Sequence, residues 1–167
     1  GGSAADAEHM VGELMKGFVL RRPVPLADAE KLRDAGCEDW QELAANLQCG
    51  IASIALTAHT ALTSAVVNDN DGDTIFAQQV YVYARPGDLV MGISTSGNSK
   101  NVVSALQVGR AFGLITIGLV GSRACRMDEI CDILINVPEE ETYKIQELHL
   151  PVYHTLCLMA EHELFDE

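Results

Sequence analysis

Four hydroxyl side chains, Ser94, Thr95, Ser96 and Ser99, sit within about one turn of each other in the stretch MGISTSGNSKNVV, residues 91–103. They lie between an apolar run and a segment of helical periodicity. Two chemistries suit such a strand-to-helix turn. A Ser, Thr or Asn can cap the orphan N–H groups of a helix's first turn. Hydroxyls and bare amides together can instead hold an anion at the positive end of the helix dipole. Capping needs one hydroxyl and four are present, so the loop is read as a site for a phosphate ester. It lacks the G-x-x-x-x-G-K and G-x-G-x-x-G patterns of nucleotide sites, which argues against a nucleotide ligand.

A second set of residues suits metal or proton chemistry. His9 and Glu13 are four apart on a helical segment and face the same way. They could grip one cation, or they could be ordinary surface charge patterning. Gln146 and His154 lie eight apart on another helical segment. Eight residues rise about 12 Å along a straight helix, too far for two ligands of one ion. Either Pro151 kinks that helix or the ligands come from different subunits. The acidic run VVNDNDGDTIF (66–76) lacks the EF-hand spacing and its final glutamate, so its polar residues read as turn formers. His59 and His162 have no motif around them and read as loop and surface histidines.

The elements that must position these groups follow from the periodicity. SAADAEHMVGELMKGF is helical, with Ser3 and Asp6 as a capping-box-like start. IASIALT (51–57) is short, apolar and partly β-branched, so a strand is expected. IFAQQVYVYARPGD reads as a helix running into a Pro-Gly turn. DLVMGI (88–93) and LITIGLVG (114–121) read as buried strands, and ILINVP as a strand. KNVVSALQVGRAFG is a helix ending at Gly113, SRACRMDEICD a short helix, and ETYKIQELHLPVYHTLCLMAEHELF a long closing helix. Buried strands without polar alternation, each followed by a helix, imply a parallel sheet covered on both faces. The serine loop then lies at a strand's carboxyl end, where open α/β sheets bind ligands. PLADAEKLRDAGCEDWQELAANLQ (25–48) is polar and helical, with Gly36 as a hinge, and holds the only Trp. It reads as a helical insertion on the sheet edge, either a surface decoration or a lid.

Composition narrows the partners. The 167 residues suit one domain. A formal charge of −13 argues against nucleic acid and anionic membranes, which select basic surfaces. Any phosphate bound here is therefore small and held locally. The five cysteines are odd in number and show no C-x-x-C spacing, so neither a disulfide framework nor a zinc finger is expected. Reduced thiols, no apolar run long enough for a membrane span and no visible signal peptide point to a soluble, cytoplasmic domain.

Three stretches, in order, resemble one family. GISTSGNSKNVVSAL is similar to the phosphate loop of sugar isomerase (SIS) domains. GGSAADAEHMVGEL resembles the first loop and helix of the phosphoheptose isomerases, and KIQELHLPVYH their closing-helix motif. The resemblance implies a single SIS domain over residues 1–167, with 25–48 inserted. It implies a three-layer α/β/α sandwich around a five-stranded, flavodoxin-like parallel sheet, assembled as a homotetramer with active sites at subunit contacts. The family's N-terminal helix and first strand are missing ahead of Gly1, so the sequence is expected to be part of a longer chain.

The activity so implied is aldose–ketose isomerisation of a phosphosugar, most simply sedoheptulose 7-phosphate to D-glycero-D-manno-heptose 7-phosphate through an enediol-type intermediate. That chemistry needs a base and an acid with pKa values near neutrality. By resemblance Glu13 is the base and His154 the acid. His9, Glu13, Gln146 and His154 would hold one zinc ion, which polarises the substrate oxygens or holds both side chains. Ser3, Asp69 and Gln146 join Ser94, Thr95, Ser96 and Ser99 as substrate contacts, and His149 supports its neighbours from behind. Gly17 stands where the family usually has Arg, with Lys16 adjacent, and Tyr143 where an Asp is common. The alternative is a non-catalytic SIS module that binds sugar phosphates or a partner protein. Such modules lack the catalytic Glu and the final His, and this chain keeps both.

Overall fold

The structure, a computed structural model, describes residues 1–166. Its chain divides into two compact units. One joins Gly1–Glu8 to Ala55–Val152, and the other joins His9–Ile54 to the chain from Tyr153 on.

The first unit holds a parallel sheet of three strands in the order β1-β2-β3: Leu89–Ile93, Ile115–Val120 and Ile133–Asn136. Gly92 pairs with Gly118, and Gly118 with Leu134. Helices α4 (Thr60–Asp69), α5 (Ile75–Tyr83) and α6 (Lys100–Ala111) belong to the same unit. The apolar stripe of α6, with Val103 and Leu106, packs with Val80 of α5, Val90 of β1 and Val120 of β2, and Met127 and Ile130 close the same core. Burial of such side chains contributes roughly 1.5–3 kcal/mol each. The expected short helix at SRACRMDEICD is a single 3₁₀ turn, Arg126–Glu129, with Asp128 reaching back to the Cys125 amide.

Three of the four strands read from the chain are present. The expected strand at 51–57 is irregular coil running into a turn at Leu56 and Thr57 instead. Its backbone partners come from outside any sheet: the Ile51 amide donates to the Leu14 carbonyl, and the Leu56 carbonyl accepts from the buried Gln79 amide. Among the described residues the sheet therefore has three strands rather than five.

Helix α1 spans Gly2–Met15 and α7 spans Thr142–Phe165. Ser3 lies inside the first turn of α1 rather than capping it. Pro151 sits within α7 without ending it, as a proline can at the cost of one hydrogen bond.

In the second unit the segment 25–48 forms the two expected short helices, α2 (Leu26–Asp34) and α3 (Trp40–Asn46). Gly36, at φ +77°, makes the left-handed turn between them. The segment belongs to this unit and not to the sheet-bearing one. An ion pair anchors the unit. Arg22 and Glu161 are wholly buried and bonded at 2.8 Å, and Arg22 Nη1 donates to the Leu14 carbonyl at 2.9 Å. Glu161 also accepts from the backbone amides of Phe18, Val19 and Leu20. Burial pushes the Glu161 carboxyl up. The three amides and the guanidinium outweigh that and bring its pKa down to about 2.

No helix among the described residues is long and apolar enough to cross a membrane.

Candidate active site

The serine loop begins where β1 ends. The Ser94 amide donates to the Leu119 carbonyl of β2, so the first hydroxyl is still held by the sheet. Ser94 is buried, and its Oγ lies 3.0 Å from Ser99 Oγ. Gly97 turns the chain at φ +62°, and a Cβ there would collide with the Cys125 side chain. Asn98 bonds Ser96 twice, and its Oδ1 accepts from the Arg126 amide, tying this loop to the one after β2.

Ser99 is the N-cap residue of α6, yet its side chain makes no capping bond. The capping reading of the loop therefore fails at its own test. Within the first turn of α6 the Val102 amide donates instead to the Asn101 side-chain oxygen, at 2.9 Å.

Thr95 and Ser96 line a pocket of about 190 Å³, together with Asn98, Ser122, Arg123, Glu139, Glu140 and Thr142. The pocket lies in the sheet-bearing unit, at the carboxyl ends of β1 and β2. Asn98 was not among the expected contacts, and its place in the serine loop is the signal that points to it. Arg123, Glu139 and Glu140 come from two later loops and carried no signal of their own.

In the other unit α1 and α7 contribute His9, Glu13 and His154. His9 Nε2 lies 3.3 Å from Glu13 Oε1, and the His9 and His154 rings meet edge-on at 5.0 Å. His9 Nδ1 is hydrogen-bonded to the buried Tyr153 hydroxyl at 2.9 Å. His154 Nε2 is buried without a hydrogen-bond partner. Among the described residues, no three His, Cys, Asp or Glu side chains converge tightly enough to hold an ion as they stand. Lys16, beside the position where the resemblance expects Arg, lies 3.3 Å from Glu13 Oε2.

Gln146 lies in the sheet-bearing unit against Gly2, where a Cβ would stand 2.6 Å from its amide nitrogen. Only glycine lets that amide approach so closely, and Ser3 follows directly. His149, one turn along α7, is wholly buried, and neither ring nitrogen makes a well-formed hydrogen bond. Burial pulls its pKa below the ordinary value, against the nearby Val120 carbonyl and Asp6. Asp69 is exposed, bonded to Asn68, and not among the residues lining the pocket. His162 pairs with Asp166 at the surface, and His59 packs on Tyr83.

The SIS-domain family matches residues 40–121, which include the serine loop. Phosphoheptose isomerase 2 of Campylobacter jejuni is 40% identical over 165 residues, 99% of this chain and 69% of that protein. The chain belongs to the phosphoheptose isomerases. The phosphoheptose isomerase of Geotalea daltonii is also 40% identical, across the whole chain and 73% of its own length. Among solved structures, that of the Neisseria gonorrhoeae phosphoheptose isomerase superposes with a TM-score of 0.71 at 32% identity, covering 94% of this chain and 70% of that one. The phosphoheptose isomerase of Francisella tularensis superposes with a TM-score of 0.74 at 27% identity, with the same coverage.

Proposed function

We propose that this member of the family isomerises sedoheptulose 7-phosphate to D-glycero-D-manno-heptose 7-phosphate. The observation that carries the reading is that Glu13 and His154, a base and an acid of suitable type, both pack against His9. The Glu13 carboxylate takes the proton from the carbon beside the ketone. His154 gives a proton to the ketone oxygen, which makes the enediol. The carboxyl of Glu13 then returns its proton to the former carbonyl carbon as His154 recovers one from the other hydroxyl. Proton count and charge balance, and no external acid is consumed.

The substrate's phosphate ester goes to Ser94, Thr95, Ser96 and Ser99 at the start of α6, with Ser3 beside it and Asp69 on the sugar hydroxyls. The surplus of hydroxyls, with Ser99 making no capping bond and Thr95 and Ser96 lining the pocket, supports this assignment.

His9, Glu13, Gln146 and His154 would hold one zinc ion. The donors fit: nitrogen and oxygen ligands suit zinc, and His154 Nε2 is a buried nitrogen lacking a partner. His9 Nε2 and Glu13 Oε1 lie 3.3 Å apart, so these two donors stand side by side. Bound there, zinc would supply Lewis-acid polarisation of the substrate oxygens.

The same reading takes the chain as one SIS domain with 25–48 inserted, and the SIS match running from residue 40 to 121 crosses both compact units. It further includes a cytoplasmic homotetramer with sites at subunit contacts and a five-stranded sheet in three layers, three strands of which are seen here. Incubation with sedoheptulose 7-phosphate should yield an aldoheptose phosphate. A protein that binds the ketose phosphate but never converts it would instead be the non-catalytic module.

A further inference from the structure

The pocket beside the serine loop has one basic side chain in its lining, Arg123, facing two acidic ones, Glu139 and Glu140. Arg123 is committed to one of them. Its Nε and Nη2 both donate to Glu140 Oε2, at 3.1 and 2.9 Å. Both side chains are well exposed, 69% and 61%, and an ion pair that open contributes little, about 0–1 kcal/mol.

The pair is not what holds the two loops together. The Ser122 amide and hydroxyl both donate to the Glu139 carbonyl, at 2.9 and 3.1 Å, and fix the backbone without it. A planar guanidinium is thus kept at the pocket wall by a partner it can leave cheaply, while two carboxylates beside it repel any anion that enters. A phosphate dianion offers the same fork geometry as the carboxylate with twice the charge.

We propose that Arg123 is a substrate-binding residue, parked on Glu140 in the free protein and transferred to the anionic group of the phosphosugar as it enters the pocket. The exchange needs only rotation of two exposed side chains. It makes Glu140 a competitor of the substrate, which opposes wasteful retention of free phosphate as well as of product. The inference rests on the phosphosugar reading of the pocket.

The two partners must therefore have opposite effects. Arg123→Met should raise KM about three- to tenfold with kcat unchanged, the loss of one exposed charge-assisted contact. Glu140→Gln should lower KM about twofold, because it frees the guanidinium and removes a repelling charge. Arg123→Lys keeps the charge and loses the fork, so its KM should fall between wild type and Arg123→Met. If the pair only braces the loops, both variants cut the same bond and KM moves the same way in each, which overturns the proposal. So does a KM indifferent to both.

Calorimetric titration with inorganic phosphate separates this idea from the proposed reaction. The expected order of affinity is Glu140→Gln, then wild type, then Arg123→Met. If that order holds in a protein that does not isomerise sedoheptulose 7-phosphate, the proposed function fails and the role of Arg123 stands. If the protein turns over while phosphate affinity is the same in all three, Arg123 is not a ligand.

Discussion

Tyr153 and His9 share a hydrogen bond of 2.9 Å between the buried phenol and Nδ1, and this leaves His9 Nε2 directed at Glu13. When the phenol oxygen accepts the Nδ1 proton, Nε2 presents a lone pair, the tautomer a metal-ligating imidazole needs. Tyr153→Phe should therefore weaken zinc retention about tenfold while the protein stays folded. Competition with a chelating dye measures this, and an unchanged affinity would separate Tyr153 from the metal.

Glu13→Gln should abolish turnover and weaken metal binding less, since an amide oxygen can ligate but cannot take a proton. His154→Ala should lose metal and activity together. Elemental analysis of the wild type and both variants, purified without added metal, tests the pairing. Activity that survives complete chelation would leave Glu13 and His154 as a plain acid–base pair.

Ser96→Asp puts a carboxylate into the pocket wall, just before the start of α6. Like charges brought together cost several kcal/mol, so KM for the phosphosugar should rise roughly a hundredfold. An unchanged KM would move the phosphate elsewhere.

The Arg22–Glu161 pair should govern acid stability. The Glu161 pKa is depressed from 4.5 to about 2, so its contribution is fully present above pH 4.5 and is lost as pH falls toward 2. Denaturant titrations between pH 5 and 2 should show a steeper loss in wild type than in Glu161→Gln. Arg22→Met should cost about 3–5 kcal/mol at neutral pH, because it strands a buried carboxylate.

Helix α7 leaves Leu150, Met159 and Leu164 exposed. With those faces covered by further copies, sedimentation should show a tetramer at micromolar concentration. An active monomer would count against sites shared between subunits.

Much was determined by the sequence alone. The runs at 89–93, 115–120 and 133–136 are short and largely apolar, so each reads as a parallel strand from its own residues, although the last, at the sheet edge, has no buried residue. The helical stripe of α6 and the crowding of hydroxyls before it are equally local, and so is the i, i+4 spacing of His9 and Glu13. The family resemblance rested on just such local stretches.

What only the tertiary structure decided is who sits opposite whom. IASIALT has a strand's composition, but strand propensity expresses packing against neighbours, and its neighbours are a helix end and the Gln79 side chain. Ser99 looks like a cap, and its hydroxyl is taken instead by Ser94, five residues back. Glu161 reads as one more surface acid of a charged helix. It is buried because Arg22 and three amides, some 140 residues away along the chain, converge on it. Arg123 and Glu140 likewise meet across the pocket wall from separate loops. Propensity and periodicity act over a few residues, whereas partners that neutralise a charge or satisfy a buried carbonyl are chosen by the folded chain.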